Sequence, residues 1–427
     1  MKRFFLHLAV VWCLSCATGA AAMVEFLVAP GASISREQKP LFPDEAVSAA
    51  ETVLKQSEEQ LRTGTGDAVG MLNARILFWK AKLQHPQTGP EDRGRLLDDI
   101  RKADGERMRL IEARYRNGLL PATEYRTAVF RMVWERLEWD DSPENTAAAV
   151  KAAEVLKETV LQQGQGGVAD RAQSLLADIT CAETRLRQLS IGASGALEQV
   201  TAVHKLYEEL IELYAARAEY EGASSIAMFE ATLAALKFAR ACATHVYRNA
   251  SAVQELDAAI RDTYRNLLVD YSYAELREEI TRSECLLMEN SFVEEVRGQM
   301  HAAFPEKTPL IQRIISLPDY WCYEEHKADF IERLYAGEYR MVEGDDGVAE
   351  FLKIGGDGCI GQRMFILSPK KELCLLSENW EEGEETDSLS RYLPGKDEWE
   401  TCSDTVPKEI LEEGPEKNYQ KLLRLLK

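Results

Sequence analysis

Apolar residues recur at three- and four-residue intervals over most of the chain, from about Asp44 to about Ser291. In the stretch EYRTAVFRMVWERLEW, such residues fall on one side of a helix, at Tyr125, Ala128, Met132 and Leu137. The runs between breaks are about 20 to 30 residues long, which suits long antiparallel helical hairpins. This pattern predicts a mainly α fold for the region.

Glycines interrupt the helical pattern at regular intervals. Gly64, Gly118, Gly167 and Gly222 are separated by 54, 49 and 55 residues, about twice one helix length. Each has related groups 7, 10, 14 and 19 residues later, namely Met71, Ala74, Phe78 and Leu83; Tyr125, Ala128, Met132 and Leu137; Ser174, Ala177, Cys181 and Leu186; and Phe229, Thr232, Leu236 and Ala241. Glycine allows a left-handed C-cap, and small residues allow close helix approach. Two interpretations stay open: a true hairpin repeat, or features common to any helix-turn-helix.

The turn RYRNGLLPATEYRTA, from Arg114 to Ala128, resembles the helix-hairpin joint of TolC-type outer-membrane efflux proteins. The resemblance is confined to this turn. It implies a helical hairpin at Gly118, and it is too generic to imply an efflux function for this chain.

The pattern changes after residue 304, where Pro305, Pro309 and Pro318 occur within a short distance. One further helix is predicted from about Tyr320 to Ala336. The turns GDDG (344–347) and GGDG (355–358) then indicate an antiparallel meander of three or four strands. Both faces of IGQRMFIL carry apolar groups, so we expect helices to cover part of the sheet. Residues 378 to 416 are predicted to be acidic and irregular, and EKNYQKLLRLLK to form a closing helix.

The predicted fold class is therefore mainly α, with long antiparallel helical hairpins in a bundle or helical repeat, followed by a small α+β domain with an antiparallel meander. The predicted segments are a signal peptide at 1–22, an extended lead-in at 23–43, a helical domain at 44–303, and an α+β domain with an acidic tail segment at 304–427. Long amphipathic helices also favour pairing between chains, so a homo-oligomer is a candidate state.

The N-terminus, MKRFFLHLAVVWCLSCATGAAAM, has the organisation of an export signal, with Lys2 and Arg3, an apolar run, and small residues up to Ala22. One outcome is cleavage after Ala22. A second is lipidation of Cys16, because Leu-Ser-Cys resembles part of the bacterial lipoprotein box, although Cys13 stands where that box usually has leucine. A third is an uncleaved anchor. No later segment is long and apolar enough to span a bilayer, so we expect a periplasmic, envelope-associated or secreted protein.

The charge narrows the range of partners. The formal net charge is −20, from 71 acidic and 51 basic residues, which argues against nucleic acid and against docking on anionic lipid. An apolar content of 45% favours a folded chain.

Cysteines concentrate in the C-terminal domain, at Cys322, Cys359, Cys374 and Cys402. In an exported chain these four could form disulfides, with three possible connectivities. Cys181, Cys242 and Cys285 are predicted to be small buried residues.

The best candidate metal ligands are Cys322, His326 and Asp329, which could share one helix face. Zinc would need a fourth ligand, for which Cys359, Cys374 and Cys402 are the candidates. Disulfide formation is the competing use of these cysteines. No catalytic motif of a hydrolase, metalloprotease, P-loop enzyme or dinucleotide-binding enzyme is present.

Aromatic residues of the C-terminal domain, Tyr320, Trp321, Trp380 and Trp399, could form a surface that binds a protein or a glycan. The alternative is that they build the core of the domain. We therefore expect an exported helical scaffold or binding protein whose C-terminal domain is the recognition element. The alternative function is a metal-dependent enzyme or metal-binding module centred on Cys322, His326 and Asp329.

Overall fold

A computed structural model describes residues 43–165, 170–189, 195–221, 225–315, 327–344, 347–355, 363–381, 384–393 and 398–403. The chain divides into two compact units between Met288 and Glu289. This division lies inside a helix, before the predicted domain boundary at 303/304.

Ten helices lead from the start of the described chain to this division and across it. They are α1 (Pro43–Thr63), α2 (Ala68–Gln84), α3 (Pro90–Arg116), α4 (Ala122–Arg136), α5 (Pro143–Gln165), α6 (Arg171–Gln188), α7 (Ala196–Glu221), α8 (Ile226–Cys242), α9 (Ala250–Leu276) and α10 (Arg282–Ala303). A π-helical turn, Ala243–Tyr247, extends α8. From α1 to α8, long helices of 21 to 27 residues alternate with short ones of 15 to 18.

Each helix from α1 to α8 packs against the next one along the chain. Short helices connect successive cores: α4 gives Met132 to the core that it shares with α2 and α3, and Phe130 to the core that it shares with α5 and α6. Likewise, Cys181 of α6 lies in the core shared by α4, α5 and α6, and Ile179 of α6 lies in a third core, shared with α7 and α8. This is the arrangement of a stack of helical hairpins, in which every hairpin is buried by its neighbours.

The turns that follow the long helices α1, α3 and α9 are described, and all three are alike. Gly64, Gly118 and Glu278 take positive φ values of 74°, 70° and 59°. The next residue donates its N–H to the carbonyl five residues back, over 2.9 Å in each case, which is the bonding of a Schellman C-cap. Gly167 and Gly222 lie outside the described residues, but helices end and begin on either side of each.

Glu278 extends the periodic spacing, because it lies 56 residues after Gly222. The sequence pattern missed this joint because the left-handed position holds glutamate. None of the sixteen residues predicted at the 7, 10, 14 and 19 offsets is exposed. The residue twelve positions after each joint is also buried, at Ile76, Phe130, Ile179, Ala234 and Asn290. The buried positions and the three described joints agree with the predicted spacing, which remains consistent with a hairpin repeat.

The second unit contains α11 (Thr308–Ile315), α12 (Lys327–Ala336) and six strands: β1 (Glu338–Gly344), β2 (Gly347–Ile354), β3 (Arg363–Leu367), β4 (Leu373–Glu381), β5 (Glu384–Leu393) and β6 (Glu398–Ser403). The strands form one antiparallel meander in the order β1-β2-β3-β4-β5-β6. This confirms the predicted fold class of a mainly α chain with a small α+β C-terminal domain.

Two local predictions for this unit were wrong. The sheet has six strands instead of three or four, because the acidic stretch predicted to be irregular supplies β5 and β6. The helix α11 was also missed, since Pro309 suggested a break, although proline is well accepted in the first turn of a helix.

Both faces of the sheet are buried at its centre. Phe351, Ile366 and Leu376 belong to a core on one face, whereas the alternate positions Leu352 and Phe365 are buried on the other. The helix α12 packs against β2. The expectation that a helix covers part of the sheet is therefore confirmed.

Candidate binding surface

The predicted aromatic surface is only partly described. Tyr320 and Trp321 lie outside the described residues. Trp380 is on β4, paired with Glu385, and Trp399 is on β6, paired with Tyr392. Following the register from strand to strand, positions 380 and 399 belong to opposite faces of the sheet. The role of these residues stays a prediction.

The predicted metal ligands are separated by the limit of the described chain. Cys322 and His326 lie outside it, and Asp329 is in the first turn of α12. Among the residues that the structure describes, no group of three or more histidine, cysteine, aspartate and glutamate side chains could hold a metal ion. The zinc site stays a prediction for the remaining residues.

Of the cysteines predicted to form disulfides, Cys374 and Cys402 are described, and both are free thiols. They lie on β4 and β6 with β5 between them, a separation of about 10 Å, which exceeds the reach of a disulfide. Burial, with a further contribution from Cys402, raises the pKa of Cys374 to about 12. This thiol is therefore protonated at neutral pH and is a poor nucleophile. Cys16, Cys322 and Cys359 lie outside the described residues.

A cleft of about 520 Å³ lies between α1, α2 and the start of α3. In it, His85 Nε2 lies 2.8 Å from Asp44 Oδ1, and the Gln87 N–H donates to His85 Nδ1 over 3.2 Å. The second bond makes Nδ1 an acceptor, so the proton of the neutral ring is on Nε2 and faces Asp44. Both ring nitrogens are thus engaged, and the pair fastens the turn after α2 to the start of α1.

Exposed apolar side chains recur at the tips of the hairpins, which we define as the ends of the long helices α1, α3, α5, α7 and α9 and the joints that follow them. We define the tip surface as eight exposed residues in the last two turns of a long helix or in the joint after it: Leu61, Tyr115, Leu119, Leu161, Tyr220, Val269, Tyr273 and Leu276. Every long helix from α1 to α9 contributes at least one. Leu276, Tyr220 and Leu119 are 80%, 79% and 73% exposed.

All these tips lie at one end of the stack, because helices joined by short turns are antiparallel neighbours. At the opposite end, the described residues place two exposed large apolar side chains, Leu197 and Tyr247. Single exposed apolar residues are ordinary on protein surfaces, whereas a recurring set marks a contact surface. The tip surface is therefore the best candidate for binding in the helical unit.

The joint geometry produces this exposure. The Schellman turn at Gly118 directs Leu119 outward, while Tyr115 at the end of α3 stacks on Tyr125 in the first turn of α4, with ring centroids 4.2 Å apart. Tyr115 is thus held in place by a ring of the next helix and still offers its other face to solvent. An aromatic group that is fixed before binding loses little conformational entropy when a partner arrives.

Buried polar contacts hold neighbouring hairpins together beneath the tips. Arg107 of α3 donates to Asp104 over 2.7 Å, to Glu135 of α4 over 2.8 Å and to Asn73 of α2 over 2.9 Å. Burial lowers the pKa of Arg107, but Glu135 and Asp104 outweigh this and raise it above its ordinary value. Arg136 adds a second contact to Asp104. Although Arg107 Nε has no hydrogen-bond partner among the described residues, the contacts of Arg107 to α2 and α4 tie the three helices together.

Two buried glutamate–tyrosine pairs connect neighbouring helices further along the stack. Tyr207 of α7 donates to Glu183 of α6 over 2.7 Å, and Tyr271 of α9 donates to Glu230 of α8 over 2.8 Å. Burial, followed by the charge of the carboxylate and the hydrogen bond, raises the pKa of both phenols. The tyrosines therefore remain protonated donors over the whole physiological pH range. The tip surface rests on a rigid support.

None of the described helices combines the length and apolarity that crossing a membrane requires. The sequence pattern did not single out the tip residues, because only the assembled fold shows which apolar side chains no neighbouring helix covers. Comparison with protein-family models, with curated proteins and with solved structures finds no match to this chain.

Proposed function

We propose that this protein is an exported helical-repeat scaffold that binds another protein along the tip surface. The recurrence of exposed leucine and tyrosine at the tip of every long helix carries the proposal. Tyrosine and leucine supply large apolar contact area, and tyrosine adds a polar group that tolerates the wet rim of an interface. The C-terminal domain remains a second candidate recognition element through Trp380 and Trp399.

The partner class follows from charge and shape. A net charge of −20 disfavours nucleic acid and anionic membranes. The tips form a row of separate protrusions along a stack, and such rows suit an extended partner surface better than a small molecule, which needs a concave site. Export follows from the basic, apolar and small-residue sections of the first 22 residues.

The proposal is tested by photo-crosslinking in the cells that make the protein. A photoreactive amino acid replaces Tyr220 or Leu276 at the tips, or Leu197 or Tyr247 at the opposite end, which are matched controls because they are also large, apolar and exposed. We expect one adduct of defined mass from the tip positions and none from the controls. No adduct at the tips, or equal adducts from both ends, would contradict the proposal.

A second measurement separates binding from folding. For this measurement the photoreactive amino acid replaces Tyr115. The double substitution Tyr220→Ser and Leu276→Ser should then abolish the adduct, while the thermal midpoint stays close to that of the wild type because both side chains are exposed. Leu197→Ser with Tyr247→Ser should leave the adduct unchanged. Stoichiometric zinc that is lost on Cys322→Ser would instead support the metal-module alternative.

A further inference from the structure

The outer edge of the sheet at β1 is an open backbone edge. The strand order makes β1 and β6 the two edge strands. β1 pairs with β2 without interruption over seven residue pairs, from Glu338↔Lys353 to Gly344↔Gly347. It contains no proline and no bulge, and Met341 at its centre is 61% exposed. The other edge is different, because the pairing of β5 with β6 shifts register between Leu389 and Ser390. Bulges of this kind protect an edge, and β1 lacks one.

The register determines which residues of β1 direct their backbone groups outward. In an antiparallel pair, hydrogen-bonded and non-hydrogen-bonded residue pairs alternate. Gly344 pairs with Gly347 at the end of the ladder, and a pair whose members are only three positions apart in sequence is hydrogen-bonded. A second bond gives the same result. The N–H of Ser368 donates to the carbonyl of Glu372, and the alternation of hydrogen-bonded and non-hydrogen-bonded pairs, followed from there through β3 and β2, assigns the same residues of β1 to the bonds with β2. Residues 338, 340, 342 and 344 therefore bond to β2.

It follows that Tyr339, Met341 and Glu343 direct their N–H and C=O groups away from the sheet. Within the described part of the chain, no hydrogen bond is made to these outward groups. A row of three alternate donor–acceptor pairs is what another strand requires for antiparallel addition. The side chains on this strand then decide which strand fits.

We propose that β1 pairs antiparallel with β1 of a second copy of this protein, with Met341 opposite Met341 on the two-fold axis. In this register Met341 faces Met341, and Tyr339 faces Glu343 of the second copy, in both directions. All three are outward-bonding positions, so the three pairs exchange about six hydrogen bonds. The two sheets become one continuous sheet, and the exposed β1 edge of each copy is covered by the other.

The side chains of β1 are compatible with this self-pairing. Directly opposite one another are methionine with methionine, tyrosine with glutamate, Arg340 with Val342, and Glu338 with Gly344. No like charges meet directly, which would destabilise a cross-strand pair. The two copies of Arg340 are diagonal neighbours, and each is paired with Glu338 of its own strand. The exposed Met341 side chains, which lie in solvent in one copy, bury each other across the axis.

The experiment compares two cysteine substitutions in the full chain without its signal. In the proposed register the Cα atoms of the two copies of residue 341 are about 5.5 Å apart, within disulfide reach. The two copies of residue 343 are about 13 Å apart. Mild oxidation should therefore cross-link Met341→Cys into a covalent dimer, whereas Glu343→Cys and the wild type, treated identically, stay uncross-linked. Tryptic mass spectrometry should place the bond between the two copies of residue 341.

The matched measurement is sedimentation equilibrium across a range of concentrations. The wild type should dimerise with rising concentration. Met341→Pro should be monomeric, because proline removes the outward N–H on the axis and leaves the bonds from β1 to β2 in place, whereas Met341→Thr keeps this N–H and should still dimerise.

Three outcomes would overturn the proposal: a wild type that is monomeric throughout with no Met341→Cys cross-link, a dimer in which Met341→Cys gives no cross-link, or equal cross-linking of both cysteine variants. If Met341→Pro does not fold, the cysteine pair alone decides. The result is independent of the tip surface, because neither cysteine variant alters a hairpin tip.

Discussion

The joints of the helical stack should respond to substitution with opposite signs at Gly118 and Glu278. Both residues hold the left-handed conformation, with φ of 70° and 59°. A Cβ added at Gly118 meets no atom within 4 Å, so the cost of Gly118→Ala is purely conformational. The left-handed conformation destabilises the folded state by about 1–2 kcal/mol for a residue with a Cβ. Alanine also reduces the conformational entropy of the unfolded chain, which offsets about 0.4–1 kcal/mol of this cost. We expect Gly118→Ala to lower the free energy of unfolding by about 1 kcal/mol, and Glu278→Gly to raise it by about the same amount.

Urea unfolding followed by far-UV circular dichroism measures both changes. Gly105→Ala is the matched control, since Gly105 lies inside α3 and its added Cβ also meets nothing within 4 Å. There the same substitution should stabilise the protein by about 0.5–1 kcal/mol, because alanine is the better helix former. The reasoning is refuted if Gly118→Ala is neutral or stabilising while Gly105→Ala stabilises, or if Glu278→Gly destabilises the protein.

Three further predictions concern the interior and the N-terminus. Arg107→Ala should lower the free energy of unfolding by about 3–5 kcal/mol, because it removes the buried guanidinium shared by Asp104 and Glu135 and leaves Asp104 with Arg136 as its remaining cationic partner; Arg116→Ala, which removes an exposed ion pair, should change the urea midpoint little, and similar effects would contradict this prediction. Burial lowers the pKa of His204, so below about pH 6.5 the unfolded chain binds a proton that the folded chain does not. Stability should therefore fall as the pH drops from 7.5 to 5.5, and less so in His204→Gln; an unchanged slope would contradict it. Intact-mass measurement of the exported protein should show cleavage after Ala22 or, alternatively, a lipid on Cys16; an unprocessed chain would contradict both.

The helical architecture was largely predictable from the sequence. Glycine at a left-handed cap and apolar groups at helical spacing are local signals, and at Gly64 and Gly118 both the turn and the buried positions after it agree with the structure. Prediction failed where tertiary contacts outweigh local preference. Glu278 takes the conformation expected of glycine, and local sequence preference does not predict this.

The C-terminal sheet was less predictable for a related reason. The strands β5 and β6 consist largely of acidic and polar residues, and their pairing depends on β4, which local periodicity does not report. The number of strands was therefore underestimated. The predicted ligands Cys322 and His326 stay predictions, since they lie outside the described chain.

The candidate surfaces could not be predicted at all from pattern. Tyr220 and Leu276 lie near the ends of α7 and α9, off the faces that carry the buried residues of these helices, and only the assembled fold shows that no other described helix covers them. The open edge of β1 likewise depends on which strand lies last in the sheet and on the phase of its hydrogen bonds. Both are properties of the assembled fold and not of a segment.

The sequential packing of both units has a consequence for how the chain reaches its final state. Each helix from α1 to α8 packs on the next one, and each strand pairs with the next one, so the described elements of both units are held mainly by their neighbours in sequence. Contacts between near neighbours form quickly, because little loop entropy is lost before they are made. A chain that crosses a membrane unfolded could rebuild hairpin by hairpin from its N-terminus while the rest is still in transit. Each hairpin that closes would then oppose backward sliding, so that folding itself would favour completion of transport.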